Sequence, residues 1–153
     1  MSNRIPWFAF FFCLLPAFTL TCAAQDLPDG KGKETVERVC SLCHESANII
    51  YHGPAKKADW AALVDDMISR GAHAEDKEVQ TIKDYLTKNF GLVNVNTAPA
   101  AEISELLEIS PEAAEAIVSY RTEHGKFQGL TDLKKVTALA SIDLVSKKQR
   151  ISF

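Results

Sequence analysis

The chain is short and slightly acidic. It has 153 residues, with 17 lysines and arginines against 20 aspartates and glutamates, and a formal net charge of −3. This charge balance argues against a bulk binder of polyanions. The length allows two small domains, neither of which can build a generous hydrophobic core unaided.

Residues 1–24 have the order of a secretory signal peptide. Arg4 precedes a short apolar run, and small residues follow it up to Ala24. We therefore expect cleavage after Ala24 and a periplasmic protein. A membrane anchor is the alternative, but Pro16 interrupts a stretch that is barely long enough to span a bilayer. A second alternative makes Cys22 a lipid-carrying residue, although the residues before it match the lipoprotein pattern poorly.

Residues 40–44 form a C-x-x-C-H run. In an exported chain this run is typical of the attachment site of a c-type haem. Positions three apart share a helix face, so Cys40 and Cys43 can reach the same porphyrin edge. His44 would then ligate the iron. The sequence therefore predicts one covalently bound haem c, which also supplies a large apolar plate for a small domain to pack against.

Three other interpretations of this run explain less. A structural zinc site needs four ligands, and beyond the run the chain offers only His52, His73 and His124 at scattered positions. A thioredoxin-like redox pair needs a βαβ context, which this region lacks. A disulfide between the two thiols leaves His44 without a role.

Residues 25–91 predict an all-α domain, because no segment in them alternates with period two. Apolar residues recur at helical spacing in three stretches, and Gly71 is placed to end the second. The predicted helices cover residues 31–43, 59–70 and 75–89, with a loop over residues 45–57.

Met67 is the candidate for the second axial ligand of the iron, since no other methionine remains after signal removal. Methionine sulfur is a common choice there and raises the reduction potential. His52 and His73 are alternative second ligands, and either would give the iron two histidines. In a third interpretation Met67 is an ordinary core methionine. With both axial positions filled by protein, no open site is left for a substrate. This arrangement predicts electron transfer and no enzymatic activity.

The first domain resembles the small, class-I-like monohaem cytochromes c, nearest to those that accept electrons from periplasmic dehydrogenases. The resemblance implies haem c as cofactor, a redox partner protein, two cysteine attachment points and two axial ligands. It also implies three packing residues against the haem, although ordinary core packing predicts the same burial. The residues that carry it are Gly32, Cys40, Cys43, His44, Trp60, Leu63, Val64, Met67, Gly71, Ala72, Ile82, Tyr85 and Leu86. The resemblance assigns the haem attachment to Cys40 and Cys43, and the iron to His44 and Met67. It assigns packing against the haem to Trp60, Tyr85 and Leu86.

Residues 92–153 predict a second helical domain. Its first helix begins near Pro99, a residue that is favourable in a first helical turn. Further helices are predicted over residues 110–125, 133–136 and 141–150.

This second domain resembles the tandem helix-hairpin-helix domain of ComEA-like periplasmic DNA-uptake proteins. In DNA-binding members each hairpin is a glycine-isoleucine-glycine turn, whose backbone N–H groups and following helix hold a phosphate. Here the turns read Glu108-Ile109-Ser110 and Ala138-Leu139-Ala140, without glycine. Because glycine permits positive φ and close backbone approach, its loss weakens the phosphate cradle. The residues that carry the resemblance are Val93, Val95, Asn96, Thr97, Ala98, Ala116, Ile117, Val118, Tyr120, Arg121, Gly125, Phe127, Leu130 and Leu133.

Charge is distributed unevenly along this domain. Residues 92–119 contain acids and no bases: Glu102, Glu105, Glu108, Glu112 and Glu115. The remainder carries mainly bases: Arg121, Lys126, Lys134, Lys135, Lys147, Lys148 and Arg150. These bases indicate either a residual patch that binds the DNA backbone or a solvated helix face.

We favour an electron carrier whose second domain docks a partner protein. A DNA-binding protein with an attached haem is the alternative, and a catalytic or ligand-sensing haem is the third hypothesis.

Overall fold

A computed structural model describes residues 26–153 of the protein. The predicted signal peptide over residues 1–24, its cleavage after Ala24 and the lipid anchor at Cys22 therefore lie outside the described residues. Between residues 26 and 153, no helix is long and apolar enough to cross a membrane.

The first unit, residues 26–91, is helical as predicted. Its helices are α1 (Lys33–Cys40), α2 (Ala47–His52), α3 (Lys57–Ser69) and α4 (Asp76–Phe90). Helix α1 ends at Cys40, so the residues up to Cys43 form a turn and the prediction of one helix through both cysteines is wrong. Helix α2 lies inside the predicted loop, and Gly53 ends it with φ 76°. Helix α4 begins with a capping box in which Glu75 and Glu78 satisfy each other's backbone N–H groups.

The core of the first unit lies between α1, α3 and α4. Trp60 is 1% exposed and packs with the buried Val36, Ile82 and Leu86. Its indole Nε1 donates a 2.9 Å hydrogen bond to the carbonyl of Phe90 at the end of α4. This bond satisfies both a buried indole and one of the carbonyls that a helix end leaves unpaired.

The second unit, residues 92–153, is also mainly helical. Its helices are α5 (Ala100–Leu107), α6 (Pro111–His124) and α7 (Leu130–Leu133), with 3₁₀ turns at Thr137–Leu139 and Lys148–Arg150. Strand β1 (Val93–Asn94) pairs in parallel with strand β2 (Ile151–Ser152), a feature that the all-α prediction lacks. The helix predicted over residues 133–136 begins earlier, at Leu130.

The helix predicted over residues 141–150 is wrong as well, because most of that segment forms turns. Asp143 is the local cause. Its carboxylate accepts hydrogen bonds from the N–H groups of Val145 and Ser146, at 3.1 and 3.3 Å. Such side-chain bonds offer the backbone an alternative to helical pairing.

Hydrogen bonds between side chains and the backbone join distant segments of the second unit. The amide of Asn96 both donates to the carbonyl of Phe127, at 2.9 Å, and accepts from its N–H, at 2.8 Å. Arg121 donates to the carbonyl of Val95 at 2.7 Å. Arg121 is therefore a structural residue, although the sequence grouped it with a basic patch.

The two units meet at Gly91. Leu92 N–H donates to the carbonyl of Ala55, and Ala55 N–H donates to that of Phe90. A Cβ atom on Gly91 would lie 2.2 Å from the carbonyl oxygen of Thr87 and 2.9 Å from a methyl of Leu106, so only glycine fits.

Arg150, from the end of the second unit, completes this junction. It donates to the carbonyls of Lys88 and Gly91, at the end of α4. A cation at this position also complements the negative end of the helix dipole. Arg150 therefore joins the two units and does not belong to a solvent-facing patch.

Candidate functional site

An apolar cavity of about 420 Å³ lies in the first unit. Six of the seven predicted site residues line it, and helices α1, α3 and α4 supply four of them. The six residues are Cys40, Cys43, His44, Trp60, Met67 and Leu86. Tyr85 does not line the cavity, because its hydroxyl points to the carbonyl of Pro28, to which it donates at 2.5 Å. Tyr85 therefore packs on the side of the first unit that faces away from the cavity.

The turn after α1 brings both thiols to this cavity. Cys40 is half-buried and Cys43 is exposed, and both thiols are free. Burial raises the pKa of the Cys40 thiol, which keeps it protonated at neutral pH. His44 follows directly and is exposed at the cavity mouth. The two thiols and the imidazole therefore share one wall, even though the helix itself stops at Cys40.

Three candidate axial ligands line the same cavity: His44, His52 and Met67. The Nδ1 atoms of His44 and His52 each lie 3.2 Å from a backbone carbonyl, so a neutral ring that donates there keeps its lone pair on Nε2. The His52 ring also lies 4.7 Å from the Trp60 ring, centroid to centroid. His73, the other predicted histidine option, is exposed and lies outside the cavity lining.

Sequence reasoning missed that α2 forms part of this wall. The helix contributes the buried Ile49 as well as His52. An apolar pair, Ile49 and Ile50, just before Gly53 was the available signal for it. The segment is only 6 residues long, which is too short for a periodic pattern to develop.

The residues around the cavity fit a haem better than a bare metal ion. Imidazole and thioether are ligands that haem iron accepts, and the apolar walls suit a porphyrin. Across residues 26–153, no group of three or more His, Cys, Asp or Glu side chains is placed to hold a metal ion. A metal site built from protein side chains alone is therefore unsupported in this part of the chain. The iron of a haem needs only one or two protein ligands.

The first hairpin of the second unit keeps the backbone of a glycine turn without the glycine. Glu108 follows α5 with φ 50° and ψ 50°, and it is the one non-glycine residue with positive φ among residues 26–153. The N–H groups of Glu108 and Ile109 both reach the carbonyl of Ser104. This conformation costs a side chain about 1–2 kcal/mol. That the missing glycines weaken the phosphate cradle stays a prediction.

Carboxylate and hydroxyl oxygens already occupy the start of α6, where a hairpin would hold phosphate. The Ser110 hydroxyl accepts from the N–H of Ala113 at 3.2 Å. Hydrogen bonds from its own backbone N–H and from the Ser110 hydroxyl lower the pKa of Glu112. The donors of this helix start are therefore engaged by the chain's own anionic and polar groups.

The second hairpin has a different backbone. Residues 138–140 lie in and after the 3₁₀ turn Thr137–Leu139, and Ala140 has φ −59°, which is right-handed. Leu139 is buried in the core of the unit. This turn therefore needs no glycine, and the loss of both glycines here carries no strain.

The lysines of the second unit differ in what they contact. Lys135 forms a 2.8 Å ion pair with Asp132. Lys126, Lys134 and Lys148 are exposed and Lys147 is half-buried. Within residues 26–153 none of these four lysines forms an ion pair, so they are the free lysines of this unit.

Replacing Glu108 with glycine is expected to raise the free energy of unfolding by about 1 kcal/mol relative to Glu108→Gln. Glycine relieves the left-handed strain, whereas glutamine removes the same charge and keeps a Cβ. Urea denaturation of the two variants measures the difference. Equal midpoints would show that the turn stores no strain.

Comparison with known proteins places this second unit in a family. Residues 88–146 match the helix-hairpin-helix motif family. A 61-residue stretch is 38% identical to ComE operon protein 1 of Bacillus subtilis and covers 40% of this chain and 30% of that relative. A 62-residue stretch is 40% identical to an uncharacterized protein of Haemophilus influenzae and covers 40% of this chain and 55% of that relative. The matched stretch thus spans less than two thirds of either relative. No solved structure matches the chain significantly.

These matches overturn the electron-carrier hypothesis. The family match and both relatives support a ComEA-like helix-hairpin-helix domain, and none of them supports a cytochrome c domain or a redox partner. The assignment of the second unit as helix-hairpin-helix is confirmed. The favoured prediction, electron transfer with the second unit reduced to protein docking, is wrong, and the DNA-binding alternative fits these matches better.

Proposed function

We propose that the protein binds double-stranded DNA through its helix-hairpin-helix unit. The match of residues 88–146 to that family is the observation that carries the proposal, because such domains hold the phosphate backbone. The relative named for the ComE operon supports it. The proposed role is binding, and no residue is assigned to catalysis.

Charge sets the strength that this binding can reach. The whole chain has a formal net charge of −3, so attraction to DNA must come from a local surface. Three of the four free lysines, Lys134, Lys147 and Lys148, lie close together in the sequence, and three phosphate contacts would give a modest, sequence-independent affinity. The binding is therefore expected to depend on the length of the duplex and little on its sequence.

A mobility-shift assay at low salt tests the proposal directly. The full mature chain is titrated against two duplexes of equal length and unrelated sequence. Shifts at similar concentrations for both duplexes are expected, because the contacts are to phosphates. A chain that shifts neither duplex would refute DNA binding.

We also propose that the cavity of the first unit holds one covalent haem c. Cys40 and Cys43 would bind it covalently, His44 would be the proximal ligand, and Met67 or His52 the distal one. When bound, the group supplies a redox-active iron and an apolar plate that fills the cavity. The support is that these side chains all line one apolar cavity of about 420 Å³. Export to the periplasm, where such attachment takes place, is proposed from residues 1–24.

Replacing both Cys40 and Cys43 with serine is expected to abolish covalent haem, while the single variants retain one thioether. The measurement is a pyridine-haem assay on protein matured in a cell that makes c-type cytochromes. Wild-type protein without any covalent haem would refute the proposal.

The distal ligand can be resolved by two matched variants, Met67→Leu and His52→Leu. Loss of the methionine-to-iron absorption band is expected in the first variant and its retention in the second, since sulfur is the common partner of a histidine-bound haem iron. The reverse pattern would assign the ligand to His52.

A further inference from the structure

We infer that only the side of the second unit around residues 134–148 contacts the DNA backbone, and that the first hairpin is closed to phosphate. This inference rests on the proposed function and specifies which surface performs it. It differs from the arrangement that the tandem resemblance implies, in which both hairpins hold phosphates.

The first hairpin is closed by its own groups. The start of α6 has Glu112 and Ser110 on its backbone donors, and Glu108 adds a second carboxylate at the turn. A phosphate arriving there would meet the carboxylates of Glu108 and Glu112, and residues 92–119 contain no lysine or arginine to offset them. Like charges repel, so this hairpin disfavours a phosphate.

The first hairpin also lies beside the junction of the two units. A Cβ atom on Gly91 would lie 2.9 Å from a methyl of Leu106, just before Glu108 in the sequence. Arg150 belongs to this junction and donates to carbonyls at the end of α4. Its guanidinium group is therefore engaged by the chain's own backbone.

The opposite holds for residues 134–148. Lys134 and Lys148 are exposed, Lys147 is half-buried, and none of the three forms an ion pair within the described part of the chain. Lys134 lies before the second hairpin and the other two lie after it, and the turn between them has no strained residue. The bases with structural roles, Arg121 and Arg150, are excluded from this surface because their guanidinium groups are bound to backbone carbonyls.

Two pairs of charge reversals test the inference on the full mature chain. Lys134→Glu with Lys148→Glu is expected to weaken duplex binding at low salt by roughly ten- to a hundredfold and to reduce the salt slope by about two. The matched control, Lys31→Glu with Lys77→Glu, makes the same charge change at exposed positions of the first unit. It is expected to weaken binding by less than about threefold, through long-range repulsion alone.

A third variant, Glu108→Gln, examines the first hairpin. Its salt slope is expected to equal that of the wild type, because no phosphate contact is gained there. Equal losses in the two lysine pairs, or a steeper slope for Glu108→Gln, would overturn this inference while leaving DNA binding intact. Absence of binding by the wild-type chain would instead overturn the proposed function, and this inference with it.

Discussion

Replacing Trp60 with alanine is expected to lower the free energy of unfolding of the first unit by about 3–5 kcal/mol. The indole is 1% exposed and packs between α3 and α4. It also faces His52 across the cavity wall and bonds to the carbonyl of Phe90. Small domains have about 5–15 kcal/mol in total, so this loss leaves the unit close to unfolding. Urea denaturation followed by circular dichroism measures it.

Trp60→Phe is the matched control, since it keeps an aromatic ring and removes the Nε1 donor. A loss of about 1–2 kcal/mol is expected, from the lost indole hydrogen bond and the smaller ring, while the carbonyl of Phe90 keeps the N–H of Ala55 as a partner. If the alanine and phenylalanine variants lost the same amount, the packing role assigned to the indole would be wrong.

Replacing Arg150 with glutamate is expected to destabilise the chain by about 3 kcal/mol. The change removes donors from the carbonyls of Lys88 and Gly91 and places a carboxylate at the negative end of α4. The measurement is the urea midpoint of the whole chain.

Lys148→Glu makes the same charge change two residues away on an exposed side chain. It is expected to shift the free energy of unfolding by no more than about 0.5 kcal/mol. The pair therefore separates a residue that joins the units from one that is available to DNA. Comparable losses in both variants would contradict the structural role of Arg150.

Helices with clear start or stop residues could be predicted from the sequence. The sequence predicts α3 over residues 59–70 and α6 over residues 110–125, and the structure has Lys57–Ser69 and Pro111–His124. Gly71 follows the first of these helices, and Ser110 and Gly125 bound the second, so local information determines their ends. Helical spacing also places Trp60 and Met67 on one face of α3, whereas Cys43 and His44 reach the cavity from a turn.

Features that depend on distant partners could not be predicted. The parallel pairing of Val93–Asn94 with Ile151–Ser152 joins strands of 2 residues each, too short for alternation to be visible. The roles of Arg121 and Arg150 depend on carbonyls that are 26 and 59 or more positions away. For that reason a run of bases in the sequence was grouped as one surface, whereas the fold divides it into structural arginines and free lysines.

The electron-carrier hypothesis failed for a different reason. It rests on the C-x-x-C-H run and on the missing hairpin glycines, from which the sequence predicts a weakened phosphate cradle. Glu108 nevertheless adopts the left-handed conformation, so the hairpin backbone persists without the residue that normally favours it.

The most direct test of DNA binding is a fluorescence anisotropy titration of a labelled duplex with the full mature chain at a series of salt concentrations. We predict that the logarithm of the association constant falls linearly with the logarithm of the salt concentration, with a slope of about −3, as three phosphate contacts require. An anisotropy that does not rise at low salt, or an affinity that is independent of salt, would contradict the account.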